Sequence, residues 1–192
     1  MGESTPSREE ALTLLKKYNK SEGLIKHALA VQGVMRYCAR KRGEDEEKWG
    51  IIGLIHDLDY EQFSEEHCQK SEELLRSQGW PEDYIRAVMS HGWGICTDVE
   101  PQNELEKVLY AVDELTGLVV ATALVRPSKS VMDMTVKSVK KKWKDKAFAA
   151  GVNRAVIEKG AEMLGVELTE LIDDTISGMR EVADEIGLRG SI

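Results

Sequence analysis

Residues 49–60 read WGIIGLIHDLDY, a nearly unbroken apolar run that ends in His56 beside Asp57. An unpaired carboxylate is costly to bury, so Asp57 must turn to solvent, meet a cationic side chain or bind a metal. Gly50 and Gly53 stand seven and four residues before Asp57, on its helical face. Each glycine costs a helix about 1 kcal/mol, which predicts a neighbouring element passing close beside that face. The acids at positions 44–47 suit the first turn of the same helix, where the dipole favours negative charge.

Upstream, Ser7 and Glu10 have the spacing of a capping box, and Leu12, Leu14, Leu15 and Tyr18 follow as a short amphipathic helix. The spacing predicts a second helix over 24–42, stopped by Gly43. Val31, Val34 and Cys38 fall four, seven and eleven residues after His27, so His27 lies on the buried stripe.

Downstream, Ser64 is expected to cap a helix through Gln78 in which His67, Ser71, Leu74 and Leu75 share a face. Gly79-Trp80-Pro81 breaks the chain, and Pro81 suits the first turn of a helix carrying Tyr84, Val88 and His91. Pro101 is expected to begin a long helix in which Leu105, Leu109 and Asp113 recur at spacing four. After the break at 126–128 come a basic segment and two further helices, near 153–164 and 169–186.

Aromatics make up 6% of the 192 residues and Pro is rare, which together with the helical periods points to an all-α fold. Neither a composition shift nor an internal repeat divides the chain, so a single domain over 1–192 is expected. The net charge of −8 argues against a stable nucleic-acid complex, which needs a basic surface. Residues 126–146 nevertheless hold eight Lys/Arg and two Asp, a local +6 that leaves −14 for the rest. Cys38, Cys68 and Cys96 are odd in number and lack metal-site spacing, as in a reduced cytoplasmic compartment. The N-terminus shows no signal sequence, and the apolar run at 115–125 is too short to span a bilayer, so a soluble cytoplasmic protein without a membrane partner is expected.

All four histidines of the chain, His27, His56, His67 and His91, thus face inward together with Asp57 and Asp113. Any one of them alone could be a hydrogen-bonded core residue, but their convergence with two acids suits a site for Mn, Fe, Co, Ni or Zn. His56 and Asp57 could grip one ion from a helix end, or Asp57 could bridge two.

The order His27, His56-Asp57, Asp113 resembles the HD superfamily of metal-dependent phosphohydrolases, over roughly residues 24–125. The resemblance implies an HD-type helical bundle, completed by the C-terminal helices, in which those four residues ligate a first ion. His67 and His91 are similar to the extra histidines of members with two ions. Leu58-Asp59 stands where the HDIG subgroup has Ile-Gly, so that subgroup is not indicated, whereas DELTG at 113–117 looks like the small stand-alone HD proteins.

The activity implied is hydrolysis of a phosphomonoester or phosphodiester, with a nucleotide as the leading class of small anionic substrate and Asp57 at the centre of catalysis. A dinucleoside polyphosphate hydrolase and a non-catalytic metal or nucleotide sensor are the alternatives. Asp59 reads either as an acid that orients water or accepts its proton, or as a solvated loop residue. The basic segment reads either as plain surface or as a phosphate-attracting rim led by Arg126, Lys129, Lys137 and Lys140. Trp93 could stack on a base or simply pack.

Overall fold

The computed structural model describes residues 5–190; residues 1–4, on which part of the reading of the N-terminus falls, and 191–192 lie outside them. Among the described residues there are nine α-helices and no β-sheet. They are α1 (Arg8–Tyr18), α2 (Glu22–Arg42), α3 (Glu46–Ile55), α4 (Gln69–Ser77), α5 (Glu82–Ser90), α6 (Glu104–Leu124), α7 (Val136–Trp143), α8 (Arg154–Leu164) and α9 (Leu168–Glu181).

The local signals at the first three helices act as expected. Ser7 and Glu10 form both bonds of the capping box at α1, Gly43 ends α2 in the left-handed conformation, and the Asp45 side chain caps α3. Asn153 likewise caps α8.

Two 21-residue helices, α2 and α6, run through the core and touch one another. Helices α3 and α9 pack on α2, and α5, α7, α8 and α9 pack on α6. Close approach explains two of the glycines. A Cβ on Gly53 would come within 2.9 Å of Met35 and 3.2 Å of the Val31 carbonyl, so α2 is the neighbour that the helical glycines of α3 predict. Gly178 of α9 meets the α2 backbone so closely that a Cβ would lie 2.5 Å from the Val34 Cα. Ile51, Ile52, Leu54, Ile55, Leu109, Leu115 and Leu118 are fully buried at these contacts, at roughly 2 kcal/mol each.

Four helix boundaries differ from the sequence reading. Residues 64–77 are not one helix: a 3₁₀ turn (Ser64–Glu66) precedes His67, whose ψ of 140° breaks the path, and α4 starts only after Cys68 at φ 72°. Ser64 makes no cap, and His67 stands in the link rather than on a helix face. Helix α6 begins at Glu104, where the Asn103 side chain accepts the Glu106 N–H, and not at Pro101. Pro81 is the residue before α5 rather than in its first turn, and α9 ends at Glu181.

No helix of the described residues is long and apolar enough to cross a membrane.

Candidate metal centre

The last carbonyls of a helix have no partner inside it, and a side chain just past the end can satisfy one. His56 and His91 occupy that position on α3 and α5, and each ring binds the carbonyl three residues back, Gly53 at 2.7 Å and Val88 respectively. A carbonyl only accepts, so Nδ1 carries the proton in both rings. Nε2 is thereby aimed away from the helix as a lone pair whenever the ring is neutral.

His67 is fixed in the same sense by a different partner. Its Nδ1–H donates to Asp59 Oδ1 at 2.7 Å, and Asp59 Oδ2 accepts the Ser71 backbone N–H at 2.8 Å. Asp59 is fully buried with both oxygens engaged. It therefore faces the back of His67 and not water, which corrects the reading of a solvated or water-orienting acid.

These rings converge on two carboxylates. His27 of α2 and His56 place Nε2 at 2.9 and 3.2 Å from Asp113 Oδ1, and at 3.8 and 3.3 Å from Asp57 Oδ2. The other oxygen, Asp57 Oδ1, lies 3.5 Å from His67 Nε2 and 3.4 Å from His91 Nε2. His67 Nε2 and His91 Nε2 are 3.2 Å apart. Asp57 thus divides its two oxygens between two clusters.

The donor set fits divalent cations. Imidazole lone pairs face one another and face carboxylates, an arrangement that needs a proton or a cation at its centre. Nitrogen and oxygen ligands about 2.1 Å from an ion lie about 3.0–3.4 Å from each other, and most of these separations fall in or near that range. The cluster is therefore able to hold a metal.

In the metal-free protein, protons take the same place. Burial opposes a charge on His56, yet Asp57 and Asp113 beside it prevail and hold its pKa well above the usual histidine value. Burial likewise opposes a charge on the acids, but His56 chiefly holds both below the usual carboxylate range, helped by His91 at Asp57 and His27 at Asp113.

The cluster opens into a cleft of about 380 Å³ whose walls include Tyr60, Gly92, Ile95, Cys96, Glu114, Gly117, Gly151 and Val156. Tyr60 and Ile95 are large apolar side chains left 46% and 61% exposed at this mouth. Glu114 lies on the wall beside Asp113, where burial raises its pKa, and its Oε2 accepts the Asn153 N–H at 2.9 Å. The sequence reading did not place Tyr60, Ile95, Cys96 or Glu114 at the site. Glu114 had one signal, its place within DELTG.

The basic residues are elsewhere. Among the described residues no Lys or Arg lines the cleft. Arg126 is tied to Ser138 and Asp133, and Lys129, Lys137 and Lys140 are exposed. Trp93 packs on Tyr110 with the Lys159 ammonium 3.6 Å from its ring centroid. None of Arg126, Lys129, Lys137, Lys140 and Trp93 lines the cleft, so of the two readings of each, plain surface for the basic segment and packing for the indole are the ones that match their places.

Comparison with known proteins agrees with this geometry. Ribonuclease Y of Oleidesulfovibrio alaskensis is 24% identical over 175 residues, an alignment covering 86% of this chain. The chain spans 31% of that relative's length. The family model of the HD domain matches residues 24–118, which contain all six clustered residues from His27 to Asp113. Residues 24–118 of the protein are an HD domain.

Proposed function

We propose that this protein is a metal-dependent phosphohydrolase that cleaves a nucleotide phosphomonoester or phosphodiester by attack of water. The observation that carries the reading is the split of Asp57 between two groups of imidazole lone pairs, with His56, His67 and His91 each held by a bond at the far nitrogen.

His27, His56, Asp57 and Asp113 would hold one ion, and Asp57, His67 and His91 a second; Mn, Fe, Co, Ni and Zn all suit such ligands. A divalent cation bound there lowers the pKa of water toward neutrality and offsets charge on phosphoryl oxygens. The protein's own part is to fix the ligands. Asp59 is a positioning residue acting through His67, and the Gly53 and Val88 carbonyls serve His56 and His91 in the same way. Glu114, on the wall outside the ligand set, is our candidate for returning a proton to the leaving oxygen. Tyr60 and Ile95 offer an apolar rim for the flat face of a base. With no Lys or Arg among the described wall residues, the phosphate depends on the ions alone, which favours one phosphoryl group over a polyphosphate chain.

A nuclease role is the second reading, favoured by the similarity to Ribonuclease Y. Protein loaded with Mn²⁺ or Co²⁺ separates the two when given nucleoside monophosphates, cyclic dinucleotides, dinucleoside polyphosphates and short RNA. Phosphate release from monophosphates is expected, and Glu114→Gln should lower kcat about 10²–10⁴-fold with metal content unchanged. Mononucleotides released from RNA would establish the nuclease instead. Binding without any hydrolysis would leave a sensor.

A further inference from the structure

Two of the three cysteines, far apart in sequence, meet at the wall of the cleft. Cys68 Sγ and Cys96 Sγ lie 2.7 Å apart, within hydrogen-bond contact and closer than unrelated sulfurs pack. Cys68 is fully buried, whereas Cys96 lines the cleft and is only partly covered.

The surrounding backbone is shaped to permit this contact. Cys68 adopts φ 72°, a conformation that side chains other than glycine rarely take, and it does so immediately after His67. Gly92, following His91, leaves the space in which both sulfurs sit, since a Cβ there would collide with each of them. The Gln69 side chain also bonds the Cys96 carbonyl, tying the head of α4 to the loop after α5. Three local features thus converge on one pair of sulfurs, and Cys38, buried away from the cleft, has none of them.

We propose that Cys68 and Cys96 form a redox-active dithiol that a small hydroperoxide closes to a disulfide. Cys96, the sulfur reachable from the cleft, attacks the terminal peroxide oxygen as thiolate: its S–O bond forms, the O–O bond breaks, and alkoxide (hydroxide, for hydrogen peroxide) leaves and takes up the proton that the Cys96 thiol gave up. The Cys68 sulfur then attacks Cys96, forming S–S and breaking S–O, with water leaving and the Cys68 proton consumed. The sum is two thiols and one hydroperoxide giving one disulfide, one water and one molecule of the corresponding alcohol or, for hydrogen peroxide, a second water. The bridge would join the residue after His67 to the loop after His91, stapling together the two ligands that share Asp57 Oδ1. Closure needs the sulfurs to move from 2.7 Å to about 2.05 Å, a shift small enough for the loops to absorb.

The test uses the full-length protein, both stripped with chelator and loaded with Mn²⁺. Each is treated with hydrogen peroxide, unfolded in guanidinium chloride containing N-ethylmaleimide so that buried thiols also react, and digested without reductant. Free thiols should fall from three per chain to one, Cys38 alone should be alkylated, and a peptide joining residues 68 and 96 should appear and vanish with dithiothreitol. Cys38→Ser should form the same bridge. Peroxide-treated protein in which Cys68 remains alkylatable while Cys96 advances to sulfinic acid, or in which all three thiols persist, would overturn the proposal. The readout needs no phosphatase activity, so it stands or falls apart from the hydrolase reading.

Discussion

Asp57 has one oxygen for each half of the cluster, and that division predicts unequal consequences for its neighbours. Asp57→Ala should leave no bound ion after gel filtration, because each half loses its shared ligand. His67→Ala removes a ligand from one half only, so it should keep about one ion of two. Elemental analysis of the purified variants decides the matter, and equal loss in both would show that the halves are not separable. The residues that the sequence revealed here are those governed by helical period. His27 and Asp113 repeat with apolar neighbours, and His56-Asp57 ends an apolar run. Glu114 escaped because it is turned about 100° from Asp113, off the period of the core, and Asp59 was noticed but not its role, which it gains only from folding back on His67.

At the scale of the elements, caps and glycines were the dependable signs. The Ser7 box, the Gly43 stop and the tight face of α3 against α2 all follow from local chemistry. The break between Ser64 and Gln69 was hidden because no glycine or proline marks it; Asp59, twelve residues before Ser71, holds the start of α4 by accepting its backbone N–H. The α2–α9 crossing is a sharper test of packing than any boundary. Gly178→Ala would press a methyl group against backbone at Val34 and Gly33, which cannot swing aside as a side chain can. A loss of about 3 kcal/mol in urea unfolding is expected, with metal content unchanged because the crossing lies away from the ligands. Neutral behaviour would mean that α9 can slide on α2.

Across the whole molecule, fold and ligand binding are coupled through protons. In stripped protein, His56 has a raised pKa in the folded state, so the stability it contributes is full below its unfolded value of about 6.5 and is lost as pH rises through the folded value. Asp57 and Asp113 have lowered values, so their contribution is full above about 4 and is lost as pH falls through their folded values. Stripped protein should therefore be most stable in mildly acid solution. A bound cation replaces the proton on the rings, so the loaded protein should gain most at pH 8. With free metal at about 100 times Kd the gain is about 2.7 kcal/mol, or roughly 5–10 °C in Tm for a chain of this length. Scanning calorimetry of stripped and loaded samples from pH 5.5 to 8 measures it, and a difference that shrinks toward pH 8 would contradict this coupling. The negative charge of the chain has a related effect, since an anion approaching a cleft without Lys or Arg on its described walls meets attraction only when the cluster is charged with metal.

The kink that leaves His67 outside a helix bears on time as well as place. His56 and His91 are anchored on the ends of continuous helices, and His27 and Asp113 stand within the two longest, so dislodging any of them disturbs several turns. His67 sits in a short link outside any helix, where the Asp59 carboxylate orients its ring, so displacing its side chain need unwind no helix. Exchange with solvent should accordingly be ordered: the His67 side of the pair forms last as the protein fills and empties first as it is depleted, so the halves of the centre differ in residence time before they differ in chemistry.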